Sequence, residues 1–499
     1  MLSGWGSEQR DGGLINLAII HLLKLFLPRT GAKCLPASQI PRCRGLVLHD
    51  CHSEILAIRA FNCWLLNECH SILTSERSSP KAWAANPPES PFIQRTCEPR
   101  HTQQSTSPGE SFPEQWPPFE IHPDVKIYMY CTCAPCGDAS MELCMAAQGD
   151  PTPWAVATNT RPDIGGDISS KSEAPSSTPN LLNGRAYFSI LGAVRRKPAR
   201  ADAESTLSKS CSDKLALRQV VSLLSYPSSF LVSPTENAYL AGLVLPEDEI
   251  SRVACDRAFG AGKTGRMKAL TGRFWSGKET SSQKHGYRFR PFEVIPLPLK
   301  EVEALWSFGK PKDAAISAKS RQKIKTGNIS AVWIAAPSFR ESFEMPSRKG
   351  DIGTSKSQLV TPPKTSVLET IVNGVKQGNR AMFVTSRGAS VLSRAKMWGS
   401  LQNIVHLFSD NFPVMMHNDE QKADEPNNMD CPSLRWVLQA SSYKDFKMAS
   451  GITLAWIRLR EQAMRDAKYV LQPWIHNRGD EDWNLKTLSN PNQQKEASQ

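Results

Sequence analysis

The sequence has no apolar run of membrane length. Its best candidate, Leu14 to Leu27, has 14 residues and is interrupted by Asn16, His21 and Lys24. A spanning helix needs about 20. No small-residue cleavage site follows, as a secretory signal would require, so the stretch is expected to be an amphipathic or buried helix. A paired-cysteine pattern is also missing. The 13 cysteines are odd in number and irregularly spaced, which argues against a secreted disulfide framework and for reduced thiols, some of them on metal. An intracellular protein, in the nucleus, the cytoplasm or both, is expected. There is no internal repeat and no linker that splits the chain. Acidic surplus is absent too: 60 Lys+Arg against 48 Asp+Glu give a formal charge of +12 and a pI near 9.1. That balance favours a polyanionic partner, nucleic acid first, over a membrane.

What is present is a succession of strands and helices. Apolar residues from Ile55 to Leu65 cover nearly every face, predicting a buried helix of about four turns that ends near Asn67. Residues 74–118 are rich in Ser, Pro, Gln and Glu and read as a flexible insertion. Val125 to Tyr130 reads as a strand by alternation and β-propensity, followed by a helix from Ser140 to Ala147. A second loose stretch, 148–180, leads to a basic run at Arg195 to Arg200 and a helix ending near Leu224. Strands are expected at Ala238 to Leu245, Phe289 to Leu297, Ile329 to Ala335 and Ala381 to Thr385. Helices are expected at Glu249 to Phe259, Ser390 to Phe408 and, as one long amphipathic element, Tyr443 to Tyr469; 340–361 reads as a further loop. Strands alternating with helices predict a single α/β domain.

The chemistry centres on Asp50-Cys51-His52-Ser53-Glu54. His-x-Glu is half of a zinc-deaminase site, in which His binds the metal and Glu moves protons. Alone it is weak, because polar residues ahead of a core helix more often cap it. A catalytic zinc needs three protein ligands and an open position for water. Cys131, Cys133 and Cys136 offer thiols, and so does Cys211. The deaminase signature Pro-Cys-x-x-Cys breaks at Ala139, so Cys136 would pair either with Cys133 or with the distant Cys211. The motif positions lie beside predicted helix N-termini, where the dipole favours a thiolate.

Three blocks, Asp50-Cys51-His52-Ser53-Glu54, Pro135-Cys136-Gly137-Asp138-Ala139-Ser140 and Cys211-Ser212-Asp213-Lys214, resemble in order the motifs of adenosine deaminases acting on tRNA and RNA, most of all the fungal tRNA-directed kind. The likeness runs from about Thr30 to Lys486. It implies an α/β, cytidine-deaminase-like mixed sheet flanked by helices, with long loop insertions and a C-terminal extension enclosing a polyphosphate cofactor. The corresponding domain is 30–490, between an atypical segment 1–29 and a polar tail 491–499. The resemblance implies His52, Cys136 and Cys211 as Zn2+ ligands and Glu54 as proton shuttle, converting adenosine to inosine in tRNA, at position 37 beside the anticodon of alanine tRNA. It leaves Cys131, Cys133 and Cys144 to packing.

It further implies buried inositol hexakisphosphate, held by Arg59, Lys214, Arg394, Tyr443, Lys447, Trp483 and Lys486. Asp50 and Lys197 would relay between that cofactor and the zinc, and Lys33 would lie near the substrate phosphate. Ile58 and Leu217-Arg218 depart from the family pattern of Arg-Arg and Arg-Trp. No double-stranded-RNA-binding module is evident, which favours tRNA over long duplexes; DNA is not expected as a partner. Met1 to Phe26 does not resemble the strands that precede the motif in relatives, so an inactive RNA-binding relative with an incomplete sheet is the alternative. A cytidine-type deaminase is disfavoured by the break at Ala139. Gly260-Ala261-Gly262-Lys263-Thr264 hints at a phosphate-binding loop, but Arg257 stands where the first glycine is required. The basic stretches 263–290 and 310–325 suit phosphate contact rather than base readout.

Overall fold

In the computed structural model of the chain, the residues described are 17–20, 34–78, 90–96, 117–147, 182–183, 190–197, 204–276, 286–305, 329–337, 365–409, 434 and 439–489. Four strands form an all-parallel sheet: β1 (Leu17–Ile20), β4 (Lys126–Tyr130), β5 (Leu240–Pro246) and β6 (Glu293–Leu297), side by side in that order. Two short strands, β2 (Ile93–Arg95) and β3 (Phe119–Ile121), pair antiparallel before β4. Leu17 pairs with Lys126, and Tyr128 with Gly242, after a register shift at Ile127/Tyr128. Alternation along β4 buries Ile127 and Met129, while β5, with apolar residues on both faces, is mostly buried as a central parallel strand should be.

Three further strands make an antiparallel sheet: β7 (Ile329–Ile334), β8 (Val367–Val372) and β9 (Val375–Lys376). Asn373 and Gly374 join β8 to β9 with φ of 51° and 83°, the positive pair that a two-residue hairpin turn demands and that Asn-Gly supplies most readily. The turn docks on the chain just ahead of the His-x-Glu motif. Leu48 N–H donates to Gly374 O at 2.9 Å, and a side chain at Gly374 would collide with the Leu48 carbonyl.

The helices around the motifs and the C-terminal core are α1 (Ser53–Ser78), α2 (Met141–Ala146), α3 (Cys211–Val221), α4 (Arg252–Phe259), α5 (Arg394–Ser409), α6 (Tyr443–Thr453) and α7 (Ala455–Val470); a further helix, Leu299–Leu305, follows β6. One continuous core joins α1 through Ile58 and Leu65, β4 through Ile127, α3 through Leu217, α5 through Trp398 and the C-terminal helices through Phe446 and Trp456. No helix among the described residues is long and apolar enough to cross a membrane.

Several sequence expectations need correction. Leu17–Ile20 is a strand, not part of a helix: a short apolar run carries no period that separates the two, and the free edge of β4 decides. Helix α1 continues 11 residues past Asn67, because Asn67 and Glu68 are buried rather than terminal. Glu68 accepts from Ser90 Oγ at 3.2 Å. The stretch 74–118 therefore holds the end of α1 and strand β2. Ala381–Phe383 is a 3-10 turn, not a strand. The long helix is two, α6 and α7, broken at Leu454, whose backbone is extended at φ −109° and ψ 117°. Gly451, Ile452 and Thr453 precede the break and are poor helix formers. The expected loops 148–180 and 340–361, the tail 491–499 and the basic stretch 310–325 lie outside the described residues.

Candidate active site

The three motifs meet beyond the carboxyl ends of the parallel strands, where open α/β sheets bind ligands. Cys136 sits in the loop leaving β4. Cys211 is the first residue of α3, and His52 immediately precedes α1. His52 O accepts from Ile55 N and Leu56 N, so its backbone starts the helix while its ring remains for other work. Asp50 orients that ring: its Oδ1 accepts from His52 N at 3.0 Å and is 2.9 Å from Nδ1. A carboxylate on one ring nitrogen leaves Nε2 for a metal and fixes the tautomer, the usual second layer of a histidine metal site.

The two cysteine loops are laced together. Ser212 N donates to Cys136 O at 3.0 Å, and Ser212 Oγ to the carbonyls of Pro135 and Cys136, both at 3.1 Å. Cys211 N–H points at Cys136 Sγ, 3.4 Å away. Gly137 permits the approach: its φ is +107°, and a Cβ there would overlap the Ser210 side chain. Ser210 caps α3 by accepting from Asp213 N at 3.1 Å, the N-cap role serine fills best.

Electrostatics at this point favour a thiolate. A hydrogen bond from the Cys211 thiol, opposed by burial and helped by Lys197 and His52, brings Cys136 down to about 5. Burial, and then the Cys136 sulfur, push Cys211 up in return. Lys197 Nζ lies 3.2 Å from Cys211 Sγ and 3.0 Å from Asp50 Oδ2. Burial alone would raise the Asp50 carboxyl, but Lys197, Lys214 and His52 outweigh it and hold the group well below the usual carboxylate range. Glu54 is buried, accepts from Ser53 Oγ at 3.1 Å, and bears electrostatically on both sulfurs.

Among the described residues two clusters place three ligand atoms within 4.8 Å of one another: Cys34–Asp50–His52 and Cys43–His49–Asp480. The set His52–Cys136–Cys211 is not one of them. Burial pushes the Cys34 thiol far up, and both Asp50 oxygens are engaged. In the second cluster Arg394 already supplies the cation, 3.2 Å from Asp480 Oδ2 and 3.3 Å from His49 Nδ1. Burial, then Arg394, lowers His49 to about 4, and its Nε2–H donates to Asp480 at 3.0 Å.

Asp50 also contacts Lys214 Nζ, and beyond Lys214 lies a group of cations. Arg59 donates to Leu392 O at 2.9 Å. Arg218 donates to Ser222 O and Leu224 O, and Arg460, 4% exposed, shares Leu224 O at 3.3 Å. Among the described residues none of these three arginines reaches a carboxylate, and Arg460 Nε finds no partner. Burial, then Arg460 and Arg59, pulls Arg218 down to about 9; burial, then Arg394, lowers Arg59. A guanidinium keeps its proton in a protein, so the depression measures how poorly these charges are compensated. Lys447, on α6 with its ammonium 5.6 Å from the Tyr226 ring, is lowered by burial, Arg394 and Arg460. Burial with Lys447 and Arg460 brings Lys468 to about 8, and burial with Lys214 and Lys468 brings Lys209 to about 7. Tyr443 stacks on Trp483 at 4.5 Å.

Of the residues expected to hold a polyphosphate, Arg59, Lys214, Arg394 and Lys447 thus bear on this group, and Tyr443 and Trp483 line its edge. Lys486 is exposed, and Lys33 lies outside the described residues. Ile58 and Leu217 are core residues, 4% and 9% exposed. The sequence alone did not single out Arg460 and Lys468, two residues inside a helix pattern with no motif around them, and gave Arg218 only as a departure.

With this geometry in view, the class is plain. A family model of the adenosine-deaminase (editase) domain matches residues 29–370, more than half of the chain, and the chain belongs to that family. It is similar to the tRNA-specific adenosine deaminase 1 of Schizosaccharomyces pombe, 29% identical over 383 residues covering 77% of this chain and 72% of the relative. It is also similar to the tRNA-specific adenosine deaminase 1 of Saccharomyces cerevisiae, 31% identical over 254 residues covering 50% and 52%.

Proposed function

We propose that the chain hydrolyses adenosine to inosine and ammonia in tRNA, at position 37 beside the anticodon of alanine tRNA, with Zn2+ held by His52, Cys136 and Cys211. The observation that carries this reading is the Cys136–Cys211 pair beside Glu54, with one sulfur already inclined to thiolate and His52 oriented by Asp50. When bound there, zinc would lower the pKa of a water toward neutrality. Glu54 takes the water's proton, passes one to the adenine ring nitrogen as oxygen adds at C6, and protonates the departing amine. Lys197 offsets the negative charge of Cys211 and Asp50. An anticodon loop, already unpaired, makes it less costly to turn the base into the site, and the surplus of basic residues suits its phosphates. The similarity to tRNA-specific adenosine deaminases supports a tRNA substrate and, with it, an intracellular protein of the nucleus, the cytoplasm or both.

The second part of the reading is inositol hexakisphosphate among Arg59, Lys214, Arg394, Lys447 and the Tyr443–Trp483 edge, with Lys486 at the rim and Arg218 and Arg460 added. Guanidiniums largely withdrawn from water that meet no carboxylate among the described residues fit a polyanion, because uncompensated buried charge is very costly. The domain would then run over 30–490, since α6 and α7 carry part of the cage. Incubating the purified chain with alanine tRNA and scoring inosine beside metal content tests the reading. Zinc with inosine supports it; zinc without inosine points to an inactive RNA-binding relative.

A further inference from the structure

Two arginines that the proposed chemistry does not use stand behind the cysteine loops in matching fashion. Each cysteine is followed two positions later by a fully buried aspartate, Asp138 after Cys136 and Asp213 after Cys211. Arg257 on α4 grips the first. Its Nε donates to both Asp138 oxygens at 3.1 Å and its Nη2 to the Asp138 carbonyl at 3.1 Å. The same guanidinium reaches Glu142 on α2 at 2.5 and 3.0 Å. Arg266 grips the second, with Nη1 2.6 Å from Asp213 Oδ1. The other Asp213 oxygen accepts from Ser210 Oγ at 2.5 Å and Arg195 N at 2.9 Å.

The two grips are themselves joined. Arg266 N donates to Arg257 O at 3.0 Å, and Arg266 Nε to Ala258 O at 3.1 Å. Between them lies the turn Gly260 to Gly265, closed by Gly265 N on Gly262 O at 3.0 Å. This is the stretch whose glycines hint at a phosphate loop. Here its backbone amides serve the turn, and its flanking arginines face the cysteine loops.

We propose that Arg257 and Arg266 are positioning residues: tied together by the Gly260 to Gly265 turn, they set the separation of Cys136 and Cys211 and so the affinity for zinc. Arg257 holds Glu142 in a two-bond guanidinium–carboxylate fork, a geometrically rigid arrangement, Arg266 holds Asp213 by a single 2.6 Å bond, and each aspartate lies two positions along the chain from its cysteine. Moving one grip relative to the other therefore moves one sulfur relative to the other. The inference rests on the zinc reading above.

The test compares the full chain with Arg257→Lys, Arg266→Lys, their double variant, and a chain with two glycines inserted after Gly262, which leaves both ion pairs intact. Zinc affinity is read by chelator competition, the sulfur-to-metal absorption by cobalt substitution, and stability by the thermal midpoint of the metal-free protein. Each change should weaken zinc by roughly 10–100-fold and shift the cobalt band, with the double variant losing less than the product of the singles. The insertion should do so with little change in the metal-free midpoint. Unchanged zinc affinity and cobalt spectrum in the insertion variant, with only the midpoints of the Lys variants lowered, would overturn the inference. If the unaltered chain binds no zinc at these cysteines, the zinc reading itself fails, and this inference with it.

Discussion

Behind the cysteine loops and around Arg460 the chain buries the same side chain in two opposite ways. Arg257 and Arg266 each meet a buried carboxylate at 3.1 Å or less. Arg59, Arg218 and Arg460 meet carbonyl oxygens, and Arg460 the Tyr226 ring, but no carboxylate among the described residues. A buried ion pair that the chain completes by itself serves geometry; a buried cation that it leaves uncompensated implies a ligand that supplies the missing charge. In the first region the chain itself supplies the opposite charge; in the second, on the proposed reading, a bound polyanion would.

The sharpest prediction concerns the chemistry between them. Glu54→Ala should keep zinc, measured by metal analysis, while inosine formation falls by roughly 10²–10⁴-fold or more, the usual share of a general acid–base. Appreciable residual deamination would remove Glu54 from the role. The contrast between the two arginine sets has a sign test. In protein stripped of bound polyphosphate, Arg460→Met should raise stability, by about 1–4 kcal/mol if the buried charge is as poorly paired as its surroundings indicate. In protein as isolated it should lower both stability and the phosphate released on denaturation. Arg266→Met should destabilise in both preparations. Equal behaviour of the two variants in denaturant melts would erase the comparison.

His49 provides a pH test. It faces Asp480, Arg394 and Arg59, and its folded value of about 4 lies below the ordinary 6.5. The unfolded chain therefore binds the proton first as pH falls. The stabilisation is complete above pH 6.5 and is lost between 6.5 and about 4, by about 3 kcal/mol in all. His49→Asn should flatten that window in melts taken across pH; an unchanged slope would discard the assignment. Smallest should be Gly137→Ala, which puts a Cβ at φ +107° for about 1–3 kcal/mol. Zinc affinity should drop with it, because Ser210 must give way beside Cys211.

The three motifs were more legible in the sequence than the group of cations, for a physical reason. His52, Glu54, Cys136 and Cys211 lie in short local motifs whose spacing is tied to helix starts, so their chemistry can be read in one dimension. Arg460 and Lys468 act only because α7 packs beside α3, and no residue near them announces it. The fold was legible where alternation was clean, as in Lys126–Tyr130, and misread where a tertiary neighbour decided. Leu17–Ile20 became a strand because β4 had an edge to offer, and α1 outran Asn67 because Asn67 and Glu68 are buried in the core. Arg257, met first as the residue that spoils a phosphate loop, is the clearest example: its role depends on Asp138, 119 positions away.

Gly45 N and His49 Nε2 both bond to Asp480, across 435 and 431 positions of sequence. A chain still on the ribosome therefore holds every proposed zinc ligand and Glu54 long before it has the carboxylate that anchors the segment ahead of them. Contacts between such distant positions form late, after most loop-closure entropy has been overcome. Closure of the site consequently waits for synthesis past residue 480, and a stop between residues 214 and 480 yields a product with its motifs intact and their anchor missing.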